Sequence, residues 1–280
     1  MRVFIGSEAL ASGVVSRYRL TADYRRVLPD IYAPRQHTLT LDDRIAAAWL
    51  WSRGRAVITG AAASALHGAL WVGDEVPVEL NHVHNRTPAG IVLRRDSVGG
   101  SEITRLRGMA VTTVERTAFD LGRGGPVGTA VARLDALARA THFKVDDVLA
   151  LAEDHRGIRG VRRLPDVLGV VDAGAQSPRE TWLRLLVCDA GFVRPRTQWP
   201  VPWPDGYPRY DLDMAWPEAM VALEYDGQQH RTDPVQYRHD VTRSEYIAAR
   251  GWRRVAVLAG DRRADIIARL DRVGAPRVID

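Results

Sequence analysis

The 280-residue sequence predicts a mixed α/β protein of the α+β kind, and three observations carry that expectation. Helix-length segments with apolar residues at helical spacing alternate with short runs of period two. Near the amino end, two short helices followed by a small β-ribbon have the outline of a winged helix-turn-helix. Near the carboxyl end the order is helix, strand hairpin, helix, strand, helix. It becomes αβββαβ if residues 197–201 supply an earlier strand. The length suits two or three domains at about 100–200 residues each.

The first helices are expected over residues 7–11 and 16–22, separated by a turn at Gly13. Ser7 and Ser16 are suitable N-caps, because their hydroxyls can accept N–H groups that the helix leaves unpaired. Residues 25–32 read as two short strands around a turn. In a winged helix the second helix enters the major groove, so Arg17, Arg19, Arg25 and Arg26 are the candidate DNA contacts. The competing reading is a solvated basic face on a small helical domain.

A clear amphipathic helix follows over residues 42–53, with Leu41, Ile45, Ala48 and Trp49 at helical spacing. Asp42 and Asp43 favour its positive N-terminal end. Thr59 begins a second helix, residues 61–67, which Gly68 ends. Residues 76–80 and 91–94 are expected as strands. His82 and His84 between them flank one residue and could share a metal, but no third ligand stands nearby, and a polar hairpin tip is the better account. Residues 109–112 read as a strand, and Thr113 caps a helix carrying Arg116, Phe119, Asp120 and Leu121. Helices over residues 127–140 and 145–153 lead into a Gly/Arg-rich stretch, residues 156–163. Residues 172–177 are the most linker-like segment. The expected domains are therefore residues 1–58, 59–171 and 178–280.

Charge is distributed unevenly. The net charge is +5, yet residues 171–280 hold 16 basic and 16 acidic side chains, so the excess belongs entirely to the first 170. Only Lys144 among the 39 basic residues is a lysine. An arginine bias can reflect genome composition, but guanidinium also suits phosphate contact. Nucleic acid is thus the first partner to consider. No apolar run approaches the roughly 18–20 residues that cross a bilayer, so no membrane role is expected. The first residues lack the pattern of a signal peptide, and a cytoplasmic location is the expectation. Cys188 is the only cysteine; it excludes an intrachain disulfide and a cysteine zinc cluster, and reads as a small buried hydrophobe.

The chemistry-bearing residues lie beyond the linker. Residues 210–215 and 221–226 alternate polar and apolar side chains, and residues 216–219 between them suit a turn, which predicts an antiparallel hairpin. A four-residue turn pairs Ala215 with Met220, Asp213 with Ala222 and Asp211 with Glu224. Asp211, Asp213, Glu224 and Asp226 then share one face, with Leu212, Met214, Val221, Leu223 and Tyr225 on the other. Four carboxylates within about 7–8 Å repel one another unless a cation or protons intervene. Hard oxygen donors of this kind suit Mg²⁺ or Mn²⁺. A row of surface charges on a half-exposed strand is the plainer alternative.

These residues resemble the PD-(D/E)XK nuclease superfamily, specifically an uncharacterised branch similar to very-short-patch repair endonucleases. The resemblance spans about the last 100 residues. It rests on Asp213 with Met214 to Glu218 after it, on Glu224-Tyr225-Asp226-Gly227, on His230, and on Gly251-Trp252. It implies a restriction-endonuclease-like core, with Asp213 and Glu224 as metal ligands. Asp226 stands where the superfamily's Lys would be, which removes a usual transition-state cation. His230 is implied as a general base or phosphate contact. Glu180 resembles a helix-borne acidic residue of such nucleases, but Ser177-x-x-Glu180 with Pro178 is also a complete capping box.

The first 170 residues resemble abortive-infection antitoxins of the AbiEi type, which carry a winged helix and act as transcriptional repressors. The matching stretches are residues 9–13, 27–32, 62–68 and 112–121. None carries recognisable chemistry, so this likeness implies binding rather than catalysis. The combined expectation is a Mg²⁺- or Mn²⁺-dependent DNA endonuclease. The alternative is a DNA-binding regulator or antitoxin whose nuclease-like domain is idle, contacting a protein partner or a second copy of the chain.

Overall fold

Two units, Met1–Val171 and Asp172–Asp280, make up the chain; the computed structural model describes residues 2–84, 86–203, 206–226 and 234–279. The architecture is mixed α/β in both.

The first unit opens with β1 (Phe4–Ile5), α1 (Gly6–Ala11), α2 (Arg17–Ala22), β2 (Tyr24–Leu28) and β3 (Ile31–Pro34). Gly13 at φ 71° turns the chain between the helices, and the Ser16 hydroxyl accepts the Arg19 N–H as the cap of α2. The strands form an antiparallel sheet in the order β1-β3-β2. The β2–β3 turn is anchored. Asp30 accepts the Ser7 N–H at 2.9 Å and the Ser7 hydroxyl at 2.6 Å, and pairs with Arg53 at 2.5 Å.

Helix α3 (Leu41–Trp51) begins with the reciprocal Thr40/Asp43 capping box, which satisfies two otherwise unpaired N–H groups. It serves two clusters at once. Ala46 and Ala47 pack with Ile5, Ile31 and Ala33, while Ile45 and Ala48 pack with Ile58, Leu80 and Val111. The expected division at residue 58 therefore falls where one helix is common to both sides.

β4 (Val57–Thr59), α4 (Gly60–Leu66), β5 (Val78–Asn81), β6 (Ile91–Arg94), β7 (Ile103–Leu106) and β8 (Met109–Thr112) complete the strands of this unit. They form a five-stranded sheet in the order β6-β5-β4-β8-β7. β5 and β6 run parallel, which corrects the expectation of a hairpin there. The loop bearing His82 and His84 is a crossover, not a hairpin tip. Helices α5 (Val114–Gly122), α6 (Val127–Thr141), α7 (Val145–Asp154) and α8 (Leu164–Gly169) follow.

Helix α5 carries an interior ion network. Asp120, 2% exposed, accepts from Thr59, Arg116 and Arg123. Arg116 also pairs with Glu102, which accepts from His155 if that ring nitrogen is protonated. Both guanidiniums lie about the Phe119 ring, 5.4 Å from its centre. The stretch 112–121 is thus a structural knot: buried charges survive only when paired and hydrogen-bonded.

In the second unit, residues 172–177 do not behave as a free linker. Asp172 accepts the Gly174 N–H at 2.9 Å and the Thr197 hydroxyl at 2.8 Å, and Ala175 is buried. Then come α9 (Pro178–Asp189), β9 (Arg196–Pro202), β10 (Pro208–Trp216), β11 (Val221–Asp226), α10 (Pro234–Ala249), β12 (Arg253–Leu258) and α11 (Arg263–Arg272). The sheet order is β12-β11-β10-β9, antiparallel except for the parallel pair β11–β12. A parallel pair needs a crossover, which α10 provides. Leu183, Leu186 and Val187 of α9 and Ile266 and Leu270 of α11 pack on one sheet face with Met214, Val221 and Leu223. Ile247 of α10 packs on the other with Val201, Ala215 and Ala222. Each fully buried Leu, Ile or Val stabilises by roughly 1.5–3 kcal/mol, so this sandwich can bear a costly arrangement of charge at the end of its sheet.

The hairpin register differs from the expected one. Ala215 lies opposite Ala222 and Trp216 opposite Val221. The turn does use four residues but starts one position later, because Pro217–Ala219 coil tightly and Met220 takes φ 51°. A slip of two partners keeps Met214, Val221, Leu223 and Tyr225 together on one face as expected, with Leu212 the exception. Leu212 packs with Ala215 and Ala222, not with Met214. The β10–β11 ladder starts only at Met214, and on the other side Gln198, between the partners of Leu212 and Met214 on β9, takes φ 49°, so the sheet is irregular at the level of Asp213.

Candidate active site

Asp213 stands at this irregularity of the sheet. Its Oδ2 accepts the Tyr225 N–H at 3.1 Å, so a side chain takes a β11 donor that a regular ladder would give to backbone. Burial pushes the Asp213 carboxyl up to about 7, and the negative charges of Glu180 and Glu224 push in the same direction. The Tyr225 N–H and the Arg243 charge oppose this only in part. Asp213 therefore sits in a site with surplus negative charge, one that a proton or a cation relieves.

Glu224, one position before Tyr225 on β11, is 5% exposed. Both of its oxygens are engaged. Arg243 of α10 bonds each of them, the Oε2 contact measuring 3.2 Å. Arg254 of β12 approaches Oε2 through Nε at 2.9 Å. Arg243 also donates to the Asp211 carbonyl at 2.9 Å. Burial works against the Arg243 charge, but its bonds to Glu224 and the charges of Glu224, Asp213 and Asp240 hold its pKa above the usual value.

Glu180 helps to cap α9, though not through the reciprocal box that the sequence offered, and its charge bears on Asp213. Ser177 caps α9, accepting the Glu180 N–H at 3.2 Å. The Glu180 carboxylate turns back to the Ser177 hydroxyl at 2.9 Å and the Gln176 N–H at 2.8 Å. The box thus closes on the residue before the cap rather than on the cap itself. Glu180 is still near enough to raise the Asp213 pKa, so one side chain fixes the start of α9 and charges the site.

The expected cluster of four is not assembled as expected. Asp211 and Asp226 are exposed, and Asp211 contributes its carbonyl, not its carboxylate, to Arg243. Among the described residues no three His, Cys, Asp or Glu side chains are arranged to hold a metal ion. His230 lies outside the described residues. The donors present fit a small hard cation in a limited way: Asp213 offers carboxylate oxygen and surplus negative charge, while Glu224 could join only by giving up a guanidinium contact.

Reasoning from sequence overlooked Arg254 and gave Arg243 no role. A signal existed for both. Arg254 alternates with the core residues Val255 and Val257, so it shares the sheet face of Glu224, and Arg243 lies one helical turn before the core residue Ile247 on α10.

In the first unit, Arg17 and Arg26 are exposed, Arg19 pairs with Asp23 at 3.1 Å, and Arg25 is committed to the His37 carbonyl at 3.0 Å. Tyr18, 80% exposed between Arg17 and Arg19, joins that surface. His82 and His84 stack at 6.0 Å between ring centres, with Trp51 beside them. Burial, and then the charges of Arg55 and His84, hold the His82 pKa down. A nearby Arg disfavours a cation there. Cys188 is half-buried on α9, and burial pushes its thiol up. No helix among the described residues is long and apolar enough to cross a membrane.

No family model matches the chain. Two uncharacterized proteins of Mycobacterium tuberculosis, from strains CDC 1551 / Oshkosh and ATCC 25618 / H37Rv, are each 27% identical over 242 residues. Each alignment covers 86% of this chain and 87% of the relative. The similarity therefore extends through both units and carries no activity with it.

Proposed function

We propose that this protein is a metal-dependent DNA endonuclease of the PD-(D/E)XK type, with the reaction centred on Asp213 and Glu224. The observation that carries the reading is geometric. Asp213 of β10 accepts the N–H of Tyr225, the residue next to Glu224 on β11, and the negative charges of Glu180 and Glu224 both bear on it. The resemblance of residues 213–252 to that superfamily supports the same assignment.

In this reading Asp213 and Glu224 would hold Mg²⁺ or Mn²⁺. Such an ion supplies a water of lowered pKa and neutralises charge on phosphate. The chain's own residues do the rest. The Tyr225 N–H orients Asp213, and Glu180 keeps its site negative. Arg243 and Arg254 fix Glu224 and supply the positive charge that Asp226 does not; guanidinium groups so placed stabilise negative charge developing on a phosphoryl oxygen. His230 is assigned proton transfer or phosphate contact, and Arg17, Arg19, Arg25 and Arg26 the backbone of bound DNA.

One observation favours a second reading. The two guanidiniums on Glu224 neutralise a would-be metal ligand, as in a regulator or antitoxin whose nuclease-like unit is idle. Purified protein incubated with supercoiled, single-stranded and mismatched DNA, with Mg²⁺ or Mn²⁺ and with EDTA, separates the two. Divalent-dependent cleavage that disappears in Asp213→Ala supports the enzyme; binding without cleavage supports the regulator.

A further inference from the structure

The described ends of the β9–β10 loop display aromatic surface and a guanidinium, beside Tyr246 of α10, which is itself partly packed on the core. Trp203 and Tyr207 flank the loop, 39% and 74% exposed, joined by a 2.7 Å bond from the Trp203 N–H to the Tyr207 carbonyl. Arg209 lies 4.4 Å over the Trp203 ring. Tyr246 of α10 stands 5.0 Å from Trp203, with its hydroxyl donating to the Pro202 carbonyl at 2.6 Å. Arg250 covers Tyr246 at 5.1 Å. Among the described residues neither Arg209 nor Arg250 has a carboxylate partner.

This surface is aromatic and carries two guanidiniums. It adjoins the carboxylate site through one ring: Arg243, which grips Glu224, lies 5.8 Å over Tyr210, and Tyr210 is 5.8 Å from Tyr246. Large apolar groups left in water mark an interaction surface. An acidic peptide would satisfy the guanidiniums but not the exposed aromatic surface of Trp203 and Tyr207. Duplex DNA would offer phosphates, but its bases are stacked inward. Unpaired nucleobases on a phosphate backbone satisfy both, by stacking on the rings and by contact with Arg.

We propose that Trp203, Tyr207, Arg209 and Tyr246 form a stacking platform for single-stranded DNA. The proposal rests on the nuclease reading for its choice of DNA and names the form of substrate that would reach Asp213. Its test is binding in EDTA, so it can fail or succeed whether or not cleavage occurs.

The probe is a fluorescein-labelled oligothymidylate of about 20 nucleotides, titrated with the full-length chain and read by anisotropy, beside a duplex of the same length. Trp203→Ala and Arg209→Gln should each weaken oligothymidylate binding by about tenfold, as expected when one stacked base is given up, with duplex binding unchanged. Trp203→Phe should recover most of the affinity. Arg209 is exposed, so Arg209→Gln is informative even if Trp203→Ala unfolds. Oligothymidylate affinity unchanged in Arg209→Gln and Trp203→Phe, no binding by the parent, or equal losses on duplex would overturn the proposal. A strong preference for oligouridylate would overturn the choice of DNA.

Discussion

Arg243 holds Glu224 by both carboxylate oxygens while Asp213, on the neighbouring strand, accepts only a backbone N–H among the described residues. The two acids are therefore in opposite electrostatic states: Glu224 is neutralised by its partners and Asp213 is left in excess negative charge. That inequality gives each acid a separate consequence.

For Asp213 the consequence is a pH dependence. Its folded pKa of about 7 lies above the ordinary value of 3.8, so the folded state binds its proton more tightly. The associated stability is complete below about pH 4 and is lost as pH rises through about 7. Asp213→Asn mimics the protonated form and can still accept the Tyr225 N–H. Without divalent ions it should stabilise the second unit by roughly 1–3 kcal/mol at pH 8, below the ~4 kcal/mol that three pKa units would give, and by nothing near pH 4. Thermal unfolding in EDTA at both values checks this; equal melting temperatures at pH 8 would show that Asp213 bears no excess charge.

For Glu224 the sign reverses. Glu224→Gln leaves Arg243 and Arg254 without their carboxylate, and should destabilise the second unit by roughly 2–4 kcal/mol, somewhat less than a fully buried pair because both guanidiniums remain partly exposed. Denaturant unfolding measures it. Asp226→Lys, at an exposed strand end, should leave stability within about 0.5 kcal/mol of the parent.

The buried network of the first unit predicts a larger effect. Asp120→Ala strands Arg116 and Arg123 in the interior and should cost about 3–5 kcal/mol. Differential calorimetry should show the first unit melting earlier and the second unchanged. A silent substitution would mean that the two guanidiniums find other partners.

Much of this was legible in the sequence. The segments of the second unit follow from alternation and caps, and Met214, Val221 and Leu223 keep their expected face despite a wrong register, because a slip of two conserves parity. What could not be read were relations set by the sheet as a whole. β6 takes the sheet edge beside β5 and runs parallel to it, a direction that no local pattern encodes. The guanidinium pair on Glu224 comes from a helix and a strand that follow it in sequence, so it depends on how α10 crosses the sheet. The bond from Arg25 to the His37 carbonyl could not be read either, since it forms only once β2 and the loop after β3 are in place.

That last point refines the DNA-binding expectation. Arg17→Ala and Arg26→Ala, at exposed positions, should each lower the log–log salt slope of duplex binding by about 0.9 for every phosphate that is no longer neutralised. Arg25→Ala should act mainly on stability. Binding titrations across a salt series test this; an unchanged slope in Arg17→Ala/Arg26→Ala would move the duplex-binding surface away from the amino end.

The central claim is that Asp213 and Glu224 together form a divalent-cation site. Calorimetric titration of Mn²⁺ into the parent, Asp213→Asn and Glu224→Gln tests it most directly, with folding of each variant verified by its unfolding curve. Saturable binding to the parent, no binding in Asp213→Asn and weakened binding in Glu224→Gln are the expected results. If both folded variants bind Mn²⁺ as the parent does, or the parent binds none, the carboxylates are not a metal site and the regulator reading replaces the enzyme.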